Sequence, residues 1–188
     1  MIILGIDPGL ATTGYGVIKV NPKKKYLTSN TSFENGFELL IDYRCLVTDK
    51  ALEEPKRLNS LYKDTQALLK LFKPDVITIE RLFFFKNAKT IISVGQARGV
   101  VILAASQFSI PVLEYAPLQV KSVLTGYGRS KKKEVEKKVK EILNTPILKI
   151  KKEKKSKDGH HIDDAVDALA VAICHTFKMR EKLIKIKK

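Results

Sequence analysis

The stretch Ile2-Ile3-Leu4-Gly5-Ile6-Asp7 decides the fold. An unbroken run of apolar residues and glycine predicts a strand that is covered on both faces, as in the middle of a sheet with helices on either side. The run ends in an acid, and so does the later apolar run Val76–Glu80. If the two strands are neighbours in the sheet, their terminal carboxylates lie close together.

The rest of the chain predicts an α/β fold with a mixed five-stranded sheet flanked by helices. We predict strands at 1–6, 13–20, within 36–47, at 76–80 and at 111–115, the first three forming an antiparallel meander. Helical spacing of apolar residues predicts helices from Pro55 to the Lys73-Pro74-Asp75 stop, at 90–108, 117–124 and 131–143, and from Ile162 onward. The polar stretches 21–35 and 144–160 are predicted loops.

Composition limits the class of protein. The 188 residues fit one domain, which we place at 1–178, with a basic tail at 179–188. The 35 Lys and Arg residues outnumber the 20 Asp and Glu residues, and this net charge of +15 is typical of a nucleic-acid-binding protein. The chain has no apolar run near the ~20 residues that a membrane span needs. Its two cysteines form no Cys-x-x-Cys pair, so we expect a reducing, cytoplasmic location.

Acidic residues stand at three elements that are predicted to be buried. Besides Asp7 and Glu80, the segment 165–174 is apolar at every position except Asp167, and Asp163 and Asp164 come directly before it. An ionised carboxylate is costly to bury unless it is paired or binds a cation. Oxygen donors without histidine or thiolate favour a hard ion, so we predict a site for Mg²⁺, or Mn²⁺ in its place, and we expect two ions to act together on a phosphodiester.

Simpler interpretations of single acids stay open. Asp163 is more typical of a helix cap than of a ligand. Asp7 before Pro8-Gly9 suits an Asx turn, and Glu80 is next to Arg81 and could pair with it.

Aromatic and basic residues follow the acids along the chain. The run Phe83-Phe84-Phe85 offers either packing at a strand end or an aromatic wedge for an unpaired base, and Lys86-Asn87 suits phosphate contacts. The loop Gly126-Tyr127-Gly128-Arg129-Ser130 is bordered by Lys121 and by lysines at 131–133, and Ser130 is a candidate N-cap for the helix after it.

Six ordered blocks of sequence resemble the RuvC family of bacterial Holliday junction endonucleases. They are Gly5-Ile6-Asp7-Pro8-Gly9 with Thr13-Gly14-Tyr15-Gly16, Ile79-Glu80 with Phe83 and Lys86-Asn87, Gly95-Gln96-Ala97-Arg98-Gly99, Glu114-Tyr115-Ala116-Pro117, Gln119-Val120-Lys121, and Asp164-Ala165-Val166-Asp167-Ala168-Leu169-Ala170. The resemblance covers most of the chain in the right order.

The resemblance implies a ribonuclease H-like fold and a homodimer that makes paired symmetric nicks in four-way DNA junctions during recombination and repair. It implies Mg²⁺ bound by Asp7, Glu80, Asp164 and Asp167. Phe83, Lys86, Lys121 and Lys132 would contact DNA, and the RuvA–RuvB branch-migration complex would be a partner. Asp163 competes with Asp164 as the third acid, although the spacing to Asp-Ala-Leu-Ala favours Asp164.

Two other classes of function remain as alternatives. One is a non-catalytic DNA-binding protein of the same fold, which would leave the buried acids without a purpose. The other is an actin-like or sugar-kinase-type ATP-binding domain, where an aspartate before a glycine-rich hairpin also holds phosphates; the chain is short for the two-lobed form of that fold.

Overall fold

A computed structural model describes residues 1–21, 37–81, 88–143 and 161–186. Over these ranges the chain forms strands and helices in the following order: β1 (Ile2–Asp7), β2 (Thr12–Val20), β3 (Phe37–Val47), α1 (Glu54–Phe72), β4 (Val76–Glu80), α2 (Ala88–Gln107), β5 (Val112–Tyr115), α3 (Pro117–Thr125), α4 (Lys132–Leu143) and α5 (His161–Ile186).

The five strands form one mixed sheet in the order β3-β2-β1-β4-β5, which confirms the predicted sheet and the central place of β1. β1 runs antiparallel to β2 and parallel to β4. β2 and β3 are antiparallel, so the first three strands are the predicted meander. The parallel pair β1 and β4 brings two carboxyl ends to one edge of the sheet.

The apolar run of β1 is explained by cores on both faces of the sheet. Ile3 belongs to a core cluster shared with residues of α3, α4 and α5, whereas Leu4 and Ile6 belong to a cluster shared with α1 and α2. All three side chains are at most 1% exposed. Alternate side chains of a strand point to opposite faces, so a strand between two helical layers must be apolar throughout.

α1 ends at the predicted stop, where Lys73 adopts a left-handed conformation and its N–H donates a hydrogen bond to the Leu69 carbonyl. Other element ends depart from the prediction in detail. α4 begins at Lys132 rather than 131, and the Ser130 hydroxyl lies 2.8 Å from the Thr125 hydroxyl, so it is engaged with the preceding helix. The backbone of α5 continues as helix through the predicted boundary at 178 to Ile186; that boundary stays a prediction.

Most of the stretches at 21–35 and 144–160, predicted to be loops, lie outside the described residues. Within the described ranges, no helix combines the length and apolar character needed to cross a membrane.

Candidate active site

Two acids meet at the edge of the sheet because their strands are parallel neighbours. Ile6 of β1 pairs in register with Ile79 of β4, so Asp7 and Glu80 are the next residues along adjacent strands. Both side chains are only partly exposed. The sequence-based expectation that these two acids would be close therefore follows from the register itself.

Helix α5 brings two further acids to this edge, and glycines of the sheet let it approach. A Cβ atom built on Gly5 of β1 would lie 2.0 Å from the Ala168 carbonyl oxygen. On Gly14 of β2 it would lie 2.2 Å from the Asp164 carbonyl oxygen. Real side chains do not tolerate such distances, so these two positions require glycine. The contact sets α5 directly against β1 and β2, where Asp164 and Asp167 face the end of β1.

The first turn of α5 is also held by β3. Cys45 of β3 is the register partner of Gly14. The Ala165 N–H donates a hydrogen bond to the Cys45 sulfur, although burial dominates and raises the pKa of this thiol to about 12. A cysteine beside the acidic site was not predicted from sequence, because nothing in the local pattern of β3 marks it.

Asp7, Asp164 and Asp167 form a cluster suited to a metal ion. Each offers a carboxylate oxygen, and these oxygens all lie within 4.8 Å of one another. Glu80 does not belong to this tight group, but it lines an adjoining cavity of about 220 Å³ together with Asp167, Lys121 and Lys132. The structure thus brings the four predicted acids to one site and places Glu80 at its side.

The acids raise one another's proton affinity. Burial is the largest cause that raises the pKa of Asp7 to about 8, and the charges of Glu80, Asp167 and Asp164 add to it. Burial and then the charge of Asp167 raise the pKa of Glu80 to about 7. Such crowding of negative charge is what a divalent cation relieves, and a donor set made only of carboxylates suits a hard ion. The residues therefore fit a divalent metal.

Lys132 of α4 supplies positive charge to this site. Its ammonium nitrogen lies 2.8 Å from a carboxylate oxygen of Asp167 and 3.9 Å from one of Asp163. Burial acts to lower the pKa of Lys132, but the hydrogen bond and charge of Asp167 outweigh it and raise that pKa. This cation comes from a different helix than the acid that it pairs with, so the acidic segments of the sequence do not reveal it.

Asp163 lies at the edge of the cluster. Its side chain is 56% exposed, against 27% for Asp167. It stands in the first turn of α5, where a carboxylate is favourable beside the helix N-terminus. Because α5 begins at His161, Asp163 is its third residue and not its N-cap, and Asp164 is the residue in the tight cluster.

A second ionic group lies beside β4. The Glu114 carboxylate on β5 accepts a hydrogen bond from Arg98 of α2, and its other oxygen lies 3.5 Å from Arg81, which directly follows Glu80. The Arg81 N–H also donates to the Tyr115 carbonyl at 2.8 Å. Glu80 therefore does not depend on Arg81 as its partner, because that arginine is held by Glu114.

Behind the site, the Tyr115 hydroxyl lies 2.7 Å from Nδ1 of His175, and both residues are buried. This places His175 in the core, where it packs behind the carboxylate site without belonging to it. Phe83 and Lys86 lie outside the described residues, as do Phe84 and Phe85, so their predicted roles stay predictions.

Comparison with known proteins identifies relatives over nearly the whole chain. Residues 3–175 match the family model described as "Crossover junction endodeoxyribonuclease RuvC". The curated protein of that name from Syntrophomonas wolfei is 43% identical over 180 residues, which cover 96% of this chain and 91% of the relative.

Solved structures agree with this match. The Thermus thermophilus RuvC structure has a TM-score of 0.75 and 29% identity, and covers 97% of each chain. The structure of the T. thermophilus protein in complex with Holliday junction substrate has a TM-score of 0.76 and 28% identity, covering 97% of this chain and 96% of that one. These neighbours confirm the predicted ribonuclease H-like fold.

Proposed function

Since the chain belongs to the RuvC family of crossover junction endodeoxyribonucleases, we propose that it is a Holliday junction resolvase whose active site is the carboxylate cluster at the end of β1. The substrate is four-way junction DNA, and the reaction is hydrolysis of phosphodiester bonds by paired symmetric nicks. The observation that carries the proposal is the convergence of Asp7, Asp164 and Asp167 oxygens within 4.8 Å of one another beside Glu80.

The proposed cofactor is Mg²⁺, with Mn²⁺ as a substitute and two ions in each site. Asp7, Glu80, Asp164 and Asp167 would hold them. When bound, divalent ions stabilise the negative charge that develops on a phosphodiester during hydrolysis and activate water as the nucleophile. The support from this chain is the all-oxygen donor set, together with the burial and the mutual repulsion that raise the pKa of Asp7 to about 8.

The lysines of the cavity have a separate task. Lys121 and Lys132 lie on two different helices and line the cavity with Glu80 and Asp167. They bind the oxygens of the phosphates on either side of the cut and hold the DNA strand against the acids. Lys132 is paired with Asp167, which keeps part of the negative charge of the site balanced.

The proposed assembly is a homodimer that pairs through α2. On the outer face of this helix Ile92 is 69% exposed and Leu103 is 54% exposed. Between them, built Cβ atoms on Gly95 and Gly99 meet nothing within 4 Å. Apolar side chains that frame open glycines are typical of a close helix contact, and a two-fold axis there would place an identical helix against them. A dimer gives two active sites, as paired nicks require.

Two further parts of the proposal follow from the family. The RuvA–RuvB branch-migration complex is the proposed partner, and the cytoplasm is the proposed location. Cys45 and Cys174 are both thiols that form no disulfide with each other, which suits a reducing compartment.

The test compares a labelled synthetic four-way junction with a linear duplex of the same sequence, each with and without Mg²⁺. We expect symmetric nicks in the junction only, and only with metal. Because binding rests on phosphate contacts, the junction affinity should fall steeply as salt rises. Junction binding without cleavage in Mg²⁺ or Mn²⁺, across junctions of varied core sequence, would favour the non-catalytic DNA-binding alternative.

A pair of variants tests the site itself. Asp7→Asn should lower the cleavage rate at least about a hundredfold while sparing junction binding, because electrostatic stabilisation of the transition state is lost but no phosphate contact is. Two neighbouring acids complete the comparison. Asp164→Asn should behave like Asp7→Asn, whereas the matched control, the more exposed Asp163→Asn, should cleave nearly as well as the parent. Normal cleavage by Asp7→Asn would remove Asp7 from the active site.

A further inference from the structure

The loop between α3 and α4 presents an aromatic ring to solvent next to the proposed active site. Tyr127 is 61% exposed, and Leu118, in the first turn of α3, is 60% exposed. The two segments touch, because the Gly128 backbone approaches Leu118: a Cβ built on Gly128 would lie 3.1 Å from the Leu118 carbonyl oxygen. An exposed tyrosine and an exposed leucine on these two adjoining segments offer apolar surface that the fold itself does not bury.

This loop is rigid, although its ring is exposed. Thr125 donates its hydroxyl hydrogen to the Lys121 carbonyl at 2.7 Å and accepts the Tyr127 N–H at 3.2 Å. The Ser130 N–H donates to the Tyr127 carbonyl at 3.1 Å. Gly126 ends α3 in the left-handed conformation, with a φ of 82°. Both polar groups of the Tyr127 backbone are therefore fixed, and little ordering entropy remains to be lost when the ring binds a ligand.

The surroundings of Tyr127 are cationic and connect directly to the cavity. The loop joins α3, which carries Lys121, to α4, which begins with Lys132, and both lysines line the cavity with Glu80. Arg129 and Lys131 within the loop are exposed as well. Positive side chains around a solvent-facing aromatic ring suit a polyanion that also offers flat π-surfaces, which is the chemistry of a nucleic-acid strand with unstacked bases.

We propose that Tyr127 is a base-stacking residue of this enzyme, and that its ring packs on an unpaired nucleobase of the DNA strand that Lys121 and Lys132 hold at the active site. The inference rests on the proposed junction-resolving function and adds to it a second contact with a base, in a part of the fold separate from the segment after β4. Leu118 supports the sugar or the edge of the same nucleotide. The role is assigned to the ring and not to the hydroxyl, because stacking on a base uses the π-face that Phe would also provide.

The test uses the full-length protein and four-way junctions that carry 2-aminopurine, a fluorescent adenine analogue, at one branch-point nucleotide at a time. Binding is measured without divalent metal, so that the DNA stays intact. Four proteins are compared: the parent, Tyr127→Phe, Tyr127→Leu and Tyr127→Ala. Phe keeps the ring, Leu keeps apolar bulk without the ring, and Ala removes both.

We expect at least one branch-point position whose fluorescence is quenched by the parent and by Tyr127→Phe but not by the Leu and Ala variants. Loss of the ring should weaken junction binding about tenfold. The three variants should have the same melting temperature as the parent, because the Tyr127 side chain is exposed. If no position distinguishes the parent from Tyr127→Ala, or if Tyr127→Leu quenches and binds like the parent, the stacking role is wrong.

The outcomes separate this inference from the function on which it rests. A parent protein that binds and cuts the junction, together with an unaffected Tyr127→Ala, overturns only the stacking role. A parent that neither binds nor cuts four-way junctions overturns the proposed function, and the stacking role with it.

Discussion

Glycines serve opposite purposes in two regions of this molecule. At Gly5 and Gly14, in the sheet, an added Cβ would lie 2.0 and 2.2 Å from backbone oxygens of α5. At Gly95 and Gly99, on α2, an added Cβ would meet nothing within 4 Å. Helix α5 occupies the space beside Gly5 and Gly14. Among the described residues, no neighbouring atom occupies the space beside Gly95 and Gly99.

The difference indicates where each region is completed. The contact between α5 and the sheet is closed within one chain, and it is this contact that assembles the carboxylate cluster. The outer face of α2 has exposed apolar side chains next to glycines whose added Cβ atoms meet nothing within 4 Å among the described residues, and the proposed homodimer would fill that space with a second copy. Catalytic geometry is thus a matter of folding, and in the proposed homodimer the pairing of two sites is a matter of association.

The largest effect expected from this comparison is on stability. Gly5→Ala should destabilise the protein by at least about 3 kcal/mol, because the new methyl group meets the backbone of α5, which cannot move aside without displacing the whole helix. Thermal or urea unfolding measures it. The carboxylate cluster should be lost together with stability, so Mg²⁺ should no longer raise the melting temperature.

The matched control is the same substitution on the open surface. Gly99→Ala adds a methyl group in the interior of a helix with no neighbour to strike, and alanine is the better helix former by roughly 0.5–1 kcal/mol. The unfolding free energy at low protein concentration should therefore stay the same or rise. Equal destabilisation by Gly5→Ala and Gly99→Ala would remove the distinction between the two regions.

A second expected effect is the pH dependence of stability, which comes from the acids of the carboxylate cluster. The folded-state pKa of Asp7 is about 8 and that of Glu80 about 7, both above the ordinary values for carboxyl groups. A raised pKa means that the folded state binds the proton more tightly than the unfolded state does. The stabilisation is therefore complete below about pH 4, where both states are protonated, and is lost as pH rises through about 7 to 8.

We therefore expect the metal-free protein to lose on the order of 5 kcal/mol of stability between pH 5 and pH 8. Urea unfolding at a series of pH values, in the presence of a chelator, measures this loss. Asp7→Asn should flatten the dependence, and Mg²⁺ should raise the melting temperature more at pH 8 than at pH 5. A parent protein whose stability rises over this range would contradict the burial of uncompensated charge at the site.

The comparison also shows how far sequence could predict the site. The two strand-terminal acids follow from apolar runs that end in Asp7 and Glu80, because parallel neighbouring strands carry them to one edge. Asp167 is marked as well, since it interrupts an otherwise apolar helix. These residues reveal themselves by contrast with their immediate neighbours in the chain.

Contacts between elements that are far apart in the chain cannot be recognised from the local sequence. Lys132 pairs with Asp167 because α4 packs beside α5, and in sequence it is one of three consecutive lysines. Glu114 binds Arg81 and Arg98 from different elements, and neither partner is adjacent to it in the chain. Such pairs are set by the packing of elements, which local patterns do not encode. The exposure of Tyr127 likewise depends on the conformation of its loop, which the local sequence does not predict.

The smallest expected effect concerns association at the open glycines. Gly99→Leu should weaken the homodimer about tenfold or more, since a large side chain would prevent close approach of a second α2, while the unfolding of the monomer should change by less than about 1 kcal/mol. Sedimentation equilibrium over a range of concentrations measures the dissociation constant. Leu103→Asp, which places a charge on the same face, should act in the same direction, and Leu71→Asp on α1, where leucine is 71% exposed, is the control for added charge alone.

If Gly99→Leu and Leu103→Asp leave the dimer intact while Gly5→Ala unfolds the chain, the open face of α2 is not where two copies meet. If instead both dissociate the dimer and leave single-site nicking measurable, each subunit holds a complete active site, and pairing contributes only the symmetry of the two cuts.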